Sequence, residues 1–299
     1  MTKDPFSPFL PHAPCPMPHA PCPMPYHLLK MPFCHDRPKT VICDSGFVTE
    51  NVCVAQNTYR LRLTAEKIAP LVRPGRFVML RLPNRSDPLL GRPLAVYRTT
   101  PDGLLDVVYL VVGKMTKRLA EIKPGEPLEI WGPLGNGFDT TGYDRIVMVA
   151  GGIGQTPFLM LAKQFCGTHG GESATLLLGA RTKERICCVD DFREVGTKVL
   201  LATDDGSEGH HGPVTELIPT AISETNNTKV FCCGPRPMLQ SAFAQCQKLG
   251  LPCDVSLESP MACGLGICYS CVVEYRQGDA YEYVRTCYDG PVFDAYRLR

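Results

Sequence analysis

Polar and apolar residues alternate with period two through TYRLRLTA (58–65) and GRFVMLRL (75–82), the pattern of strands with one buried face. LLDVVYLVVG (104–113) is more continuously apolar, and EPLEIWGPLG (126–135) is a strand that ends in glycine turns. Short strands at this spacing, broken by Pro and Gly, predict a small antiparallel β-barrel over residues 41–139. The pattern then changes. DRIVMVAGGIGQTPFLMLAKQF (144–165) reads as a buried strand, a glycine turn and a helix. ATLLLGAR (174–181), TKVLLATDD (197–205) and NTKVFCCGP (227–235) are further short buried strands, and PRPMLQSAFAQCQKLG (235–250) reads as a helix. Strands alternating with helices predict a parallel α/β domain with right-handed crossovers over residues 140–252. CDVSLESP (253–260) leads into a cysteine-rich loop, and residues 253–299 form a third, small domain.

Residues 1–40 stand apart. PHAPCPM occurs twice in tandem, at Pro11–Met17 and Pro18–Met24, in a proline-crowded stretch. Proline removes backbone donors and fixes φ, so this extension is expected to be extended or disordered and of low complexity.

The 299 residues suit two or three domains, and 44% hydrophobic with 20% charged residues is ordinary for a globular chain. A net charge of +1 gives no reason to expect nucleic acid or an anionic membrane as partner. No run reaches the roughly 18–20 apolar residues of a bilayer span, and no charged segment followed by an apolar stretch marks a secretory leader. Sixteen cysteines is a high count. Cys166, Cys187, Cys188, Cys232 and Cys246 sit among apolar neighbours, where free cysteine packs as a small hydrophobe. A reducing cytoplasm is the expected compartment.

Chemistry concentrates in a few motifs. AGGIGQTP (150–157) follows a strand and opens a helix, where glycines let backbone amides approach a pyrophosphate. It is not the full G-x-G-x-x-G dinucleotide fingerprint, whose third glycine is missing here, so this signal alone is weak. CCGPRPM (232–238) is a second strand-to-helix turn, and the two frame a crevice fit for a dinucleotide. In the barrel, GRPLAVY (91–97) puts Arg92 just before a strand, and a guanidinium can grip a phosphate through two hydrogen bonds. VVGKMTKRLA (111–120) offers backbone amides and the Thr116 hydroxyl to the same diphosphate.

MACGLGICYSC (261–271) is the sharpest feature: Cys263, Cys268 and Cys271 give C-x4-C-x2-C, and Cys287 follows after fifteen residues. Structural zinc prefers paired C-x2-C knuckles, and only one is present. A disulfide does not persist in a reducing compartment, and a catalytic thiol needs one cysteine and a base. The spacing matches a plant-type [2Fe–2S] site, with Gly264 and Gly266 letting the loop fold tightly.

The order of barrel, nucleotide crevice and cluster loop resembles the ferredoxin reductase superfamily. Within it the chain is similar to the electron transfer subunits of dihydroorotate dehydrogenase B. The likeness covers about residues 40–299 and rests on GRPLAV, YLVVGKMT, GPLGNGF, AGGIGQTP, CGPRPML, MACGLGICYSC and RTCYDGPVF, in that order. It implies that Arg92, Pro93, Leu94, Ala95, Gly113 and Thr116 bind FAD. Gly151, Gly152, Gly154, Cys233, Gly234 and Pro235 would take the nicotinamide nucleotide, and Cys263, Cys268, Cys271 and Cys287 the cluster. Ala95 departs from the family, which usually has Ser there. The resemblance further implies an FMN-containing catalytic partner in a two-plus-two heterotetramer. Electrons from dihydroorotate would pass through the cluster and FAD to NAD⁺, in pyrimidine biosynthesis, with no side-chain acid or base. It also favours NAD over NADP, although Arg181 and Lys183 could meet a 2′-phosphate. An apolar partner-facing patch is expected around Leu265, Ile267 and Tyr269. The alternatives are an electron-transfer subunit of a hydrogenase or a ferredoxin:NADP⁺ oxidoreductase, a stand-alone NAD(P)H reductase and, in a different class, a redox-sensing or zinc-binding protein.

Overall fold

A computed structural model describes residue 38 and residues 40–222 and 227–299. The tandem PHAPCPM repeat lies outside the described residues.

Six antiparallel strands close a barrel: β1 (Ile42–Ala55), β2 (Thr58–Thr64), β3 (Phe77–Arg81), β4 (Arg92–Thr99), β5 (Leu104–Leu110) and β6 (Pro127–Leu134), in the order β1-β2-β5-β4-β3-β6. The alternation in β2 does what it predicts: Leu61 and Leu63 are fully buried, while Arg60 and Arg62 lie on the other face. That outer face is organised by Asp106 of β5, which is 1% exposed. Its carboxylate accepts from Arg62 on β2 at 2.7 and 2.9 Å and from Arg98 on β4 at 3.1 Å. One buried charge thus ties three neighbouring strands. A short helix, α1 (Lys114–Ala120), follows β5 and packs Met115 and Leu119 into the barrel core.

The second sheet holds β7 (Arg145–Gly151), β8 (Ala174–Ala180), β9 (Lys198–Thr203), β10 (His210–His211), β11 (Thr228–Cys233) and β12 (Cys253–Ser256), all parallel. Helices α2 (Phe158–His169), α3 (Val189–Glu194) and α4 (Arg236–Leu249) accompany it. The strand order β10-β9-β8-β7-β11-β12 reverses beside β7, so the crevice expected at a topological switch lies between the ends of β7 and β11. The remaining elements are a hairpin of β13 (Val272–Gln277) and β14 (Ala280–Arg285), and a short strand, β15 (Val292–Asp294), which adds antiparallel to β12. The sheet therefore runs past residue 252 and takes its last strand from the C-terminal segment.

Cys166, Cys187, Cys232 and Cys246 are buried as apolar packing units, as is Cys253; Cys188 is half-buried in a left-handed conformation (φ 58°) at the start of α3. Among the described residues no helix is long and apolar enough to cross a membrane.

Barrel and sheet are stitched together at several places, two of them through side-chain hydrogen bonds. The Tyr97 hydroxyl on β4 donates to Asp191 Oδ2 on α3 at 2.6 Å, with Arg98 3.8 Å from the same carboxylate. Just after β6, the Asn136 side-chain amide donates to the Val292 carbonyl at 2.8 Å and accepts from the Val292 amide at 3.0 Å. A Cβ on the preceding Gly135 would come within 2.5 Å of Pro291.

Candidate functional site

A cavity of about 820 Å³ opens where the three parts of the chain meet, a size suited to a large organic cofactor. Arg92, Pro93, Leu94 and Ala95 of β4 line one wall, with Gly113 and Thr116 below them. Ile153, Thr156, Pro157 and Cys233 form a second wall from the parallel sheet. Ser256–Ala262 and Ser270, which enter and leave the cysteine loop, form the third.

On the barrel wall, Arg92 is exposed at the rim and its guanidinium donates to the Leu90 and Gly91 carbonyls at 3.1 and 3.0 Å. Ala95 pairs with Phe77 in the sheet. The Thr116 hydroxyl is engaged within its own turn. It accepts from the Val112 and Gly113 amides at 2.9 and 3.1 Å and donates to the Gly113 carbonyl. It therefore shapes the turn, and the first amides of α1 are the groups left without intrahelical partners. The space beside Gly113 is open, with nothing within 4 Å of a Cβ placed there.

The two glycine turns interlock on the nucleotide wall. A Cβ on Gly154 would lie 2.2 Å from the Cys233 carbonyl oxygen. One on Gly151 would meet Pro235 at 2.7 Å, and one on Gly234 (φ +153) the Gly151 amide at 2.9 Å. Gly152 (φ +54) instead faces open space, which is what close approach of a ligand to backbone requires. Gln155 is 1% exposed and donates to the Cys187 carbonyl at 2.9 Å, fixing the turn from behind. Arg181 and Lys183 are both exposed, and the Asp205 amide donates to the Arg181 carbonyl at 3.3 Å, so a carboxylate loop runs beside the basic one.

Burial raises the Cys233 thiol above its ordinary range, with the nearby Glu258 charge adding to the effect, so the thiol is neutral. Glu258 was not legible from sequence. It lines the cavity, and loss of solvent raises its carboxyl pKa. Only the convergence of three walls around it creates that environment.

The cysteine loop rests on the barrel. Cys271 and Cys287 are each 2% exposed and pack with Phe77, Met79 and Leu134, whereas Cys268 is exposed. Trp131 of β6 donates its indole N–H to the Cys263 carbonyl at 2.9 Å. Gly264 (φ +72) lies so close to Met79 that a Cβ would sit 2.8 Å from it. The Leu265 amide points at the Cys263 sulfur (3.3 Å) and the Cys287 amide at the Cys271 sulfur (3.4 Å). Cys268 neighbours Cys263, and Cys287 neighbours Cys271. Among the described residues no three ligating side chains gather around a single ion position. Four cysteine sulfurs on one loop and the segment returning beside it are a donor set suited to a [2Fe–2S] cluster. Leu265, Ile267 and Tyr269 turn outward, at 36%, 75% and 60% exposure.

Comparison with known proteins gives a consistent set of likenesses. Residues 258–299 match the iron–sulfur cluster binding domain of dihydroorotate dehydrogenase B, and residues 148–243 match an oxidoreductase NAD-binding domain. The dihydroorotate dehydrogenase B (NAD(+)) electron transfer subunit of Desulforamulus reducens is 36% identical over 247 residues, 82% of this chain and 94% of the relative. The subunit of the same name from Fusobacterium nucleatum is 36% identical over 252 residues, with the same coverage of both chains. Among solved structures, an NADH-dependent reduced ferredoxin-NADP oxidoreductase matches with a TM-score of 0.75 and 30% identity, over 85% of this chain and 89% of that one. A Neisseria gonorrhoeae ferredoxin NADP+ reductase, 15% identical with a TM-score of 0.59 over 70% of this chain and 92% of its own, shares the fold.

Proposed function

This chain belongs to the family of dihydroorotate dehydrogenase B electron transfer subunits, and on that footing we propose that it carries electrons from a dihydroorotate-oxidising, FMN-containing catalytic subunit to NAD⁺. The observation that carries the reading is the single cavity on which the flavin strand, the nicotinamide turns and the cluster loop all border. When bound, FAD exchanges electrons singly or in pairs, a [2Fe–2S] cluster takes one at a time and nicotinamide takes two.

The chain's own residues hold and order those groups. Arg92 supplies a charged donor at the cavity rim, Pro93–Ala95 form a flat strand wall, and Gly113 and Thr116 present the amides that open α1. Gly151, Gly152 and Gly154 with Cys233, Gly234 and Pro235 bring backbone close to the nucleotide. Cys263, Cys268, Cys271 and Cys287 would hold the cluster through their thiolates. No proton donor is assigned: the Cys233 thiol is neutral, and Glu258 lines the cavity while still exposed to solvent. NAD⁺ rather than NADP⁺ is the acceptor, in keeping with the Asp205 loop beside Arg181. The outward-facing Leu265, Ile267 and Tyr269 form the docking patch for the catalytic subunit, in a two-plus-two heterotetramer of the cytoplasm.

The test is co-purification with a dihydroorotate dehydrogenase catalytic subunit, then dihydroorotate:NAD⁺ activity with and without this chain. Activity equal in both would remove the reading, as would a purified chain lacking about one flavin and two irons. The structural likeness to the ferredoxin-NADP oxidoreductase favours a second reading, a subunit serving ferredoxin and NADP⁺. Reduction by ferredoxin with no response to the dihydroorotate-oxidising subunit would select it.

A further inference from the structure

We propose that Arg285 is a positioning residue of the cluster loop, which pins the turn between Cys263 and Cys268 and fixes a positive charge on that turn. The proposal rests on the reading of residues 258–299 as a cluster site. Arg285 is the last residue of β14, two positions before Cys287. One Nη donates to the Gly266 carbonyl at 3.2 Å, spanning nineteen residues of chain to reach the other half of the site. Its Nε and its backbone amide both donate to Asp289 Oδ2, at 3.0 and 2.8 Å, so the carboxylate orients the guanidinium plane. The guanidinium carbon lies 4.4 Å from the Tyr288 ring centroid and 5.4 Å from that of Tyr269, distances at which a cation is held by aromatic faces. The surroundings leave this turn little freedom. A Cβ at Gly266 (φ +79) would meet Tyr288 at 2.9 Å, and Tyr269 is itself held at φ 56°.

The arrangement joins the loop carrying Cys263, Cys268 and Cys271 to the segment returning with Cys287. A loop held only by its sulfurs would have to be ordered by the metal alone; Arg285 orders it beforehand. The charge has a separate consequence. Four thiolates make the site anionic, and reduction adds a further negative charge, so a nearby fixed cation stabilises the reduced state more than the oxidised one. Asp289 offsets part of that charge while fixing its place, which lysine, with no plane to align, does less well.

The test uses the full chain, purified with its cofactors, as wild type, Arg285→Gln and Arg285→Lys. Flavin content, iron content, the electron paramagnetic resonance spectrum of the dithionite-reduced protein and the midpoint potential are measured on each. We expect wild-type flavin content in all three. We expect Arg285→Gln either to lose iron or to show about a tenfold less favourable one-electron reduction, ~59 mV more negative. Arg285→Lys should restore iron to at least half the wild-type level and bring the potential most of the way back. Wild-type iron and potential in Arg285→Gln would overturn the proposal, and so would Arg285→Lys being as defective as Arg285→Gln. A wild-type protein without iron would instead overturn the cluster reading itself.

Discussion

Replacing Gly154 with Ala probes the closest contact in the nucleotide crevice. The added Cβ would stand 2.2 Å from the Cys233 carbonyl oxygen and 2.6 Å from its carbon, both backbone atoms that no side-chain rotation can move. Such contacts need at least about 3 Å, so the two glycine turns must part by about 0.8 Å, an overpacking that costs about 1–3 kcal/mol of stability. Cys233 lines the cavity, so that shift is passed to the wall proposed to place nicotinamide against flavin. Misplacement of this order lowers rates by up to about 100-fold. Stopped-flow bleaching of the flavin by NADH reads the effect directly, without the partner subunit. We expect kcat/KM for NADH to fall by about ten- to 100-fold at unchanged flavin content. Gly167→Ala is the matched control. That glycine is exposed in α2, and a Cβ there meets nothing within 4 Å. It should leave the rate alone and add about 0.5–1 kcal/mol of stability. Wild-type kcat/KM and wild-type stability in Gly154→Ala would refute the interlocked-turn account.

Cys268→Ser removes the exposed cysteine proposed as a cluster ligand. We expect lost iron and lost dihydroorotate:NAD⁺ coupling, with NADH still bleaching the flavin; normal coupling in this variant would remove the relay. Asp106→Asn leaves Arg62 and Arg98 without their shared carboxylate and should cost about 3 kcal/mol in denaturant unfolding; a loss below 1 kcal/mol would mean that the cluster of charges is not structural. Partial loss of solvent raises the Glu258 carboxyl above its ordinary 4.5, so the folded chain keeps a proton that the unfolded chain has released. Stability therefore falls as pH rises from about 4.5 toward the raised value. Glu258→Gln should melt higher than wild type at pH 7 in the flavin-free protein, and the difference should close near pH 4. A difference independent of pH would assign the effect to packing instead.

Much of this was legible where local chemistry repeats or has fixed spacing. Alternation fixed β2 because one face of a barrel strand is dry, and C-x4-C-x2-C with Cys287 is a spacing that few other sites share. The glycines of the two turns were visible as turns, but not as partners: that Gly154 abuts Cys233 depends on β7 and β11 lying side by side, some eighty residues apart in sequence. Thr116 shows the limit of reading a motif as a contact list, since its hydroxyl closes its own turn. Glu258 and Arg285 carry no local signal. The environment of one arises from three converging walls, and the role of the other from a carbonyl on a distant loop. Strand β15 has three residues, too few to show a period.

That short strand has a consequence for how the protein can be taken apart. The run from Cys287 to Asp294 carries the proposed fourth ligand, binds the Asn136 side chain and lays the edge strand on β12. A cut placed before it would strip a ligand, uncover a sheet edge open to pairing with other chains and free the barrel's last turn in one step. The one-electron module is thus no detachable cassette. A homologue that dispensed with the cluster would have to re-cover β12 and re-anchor Asn136, and a chimera that borrows the cluster loop must carry the chain through Asp294.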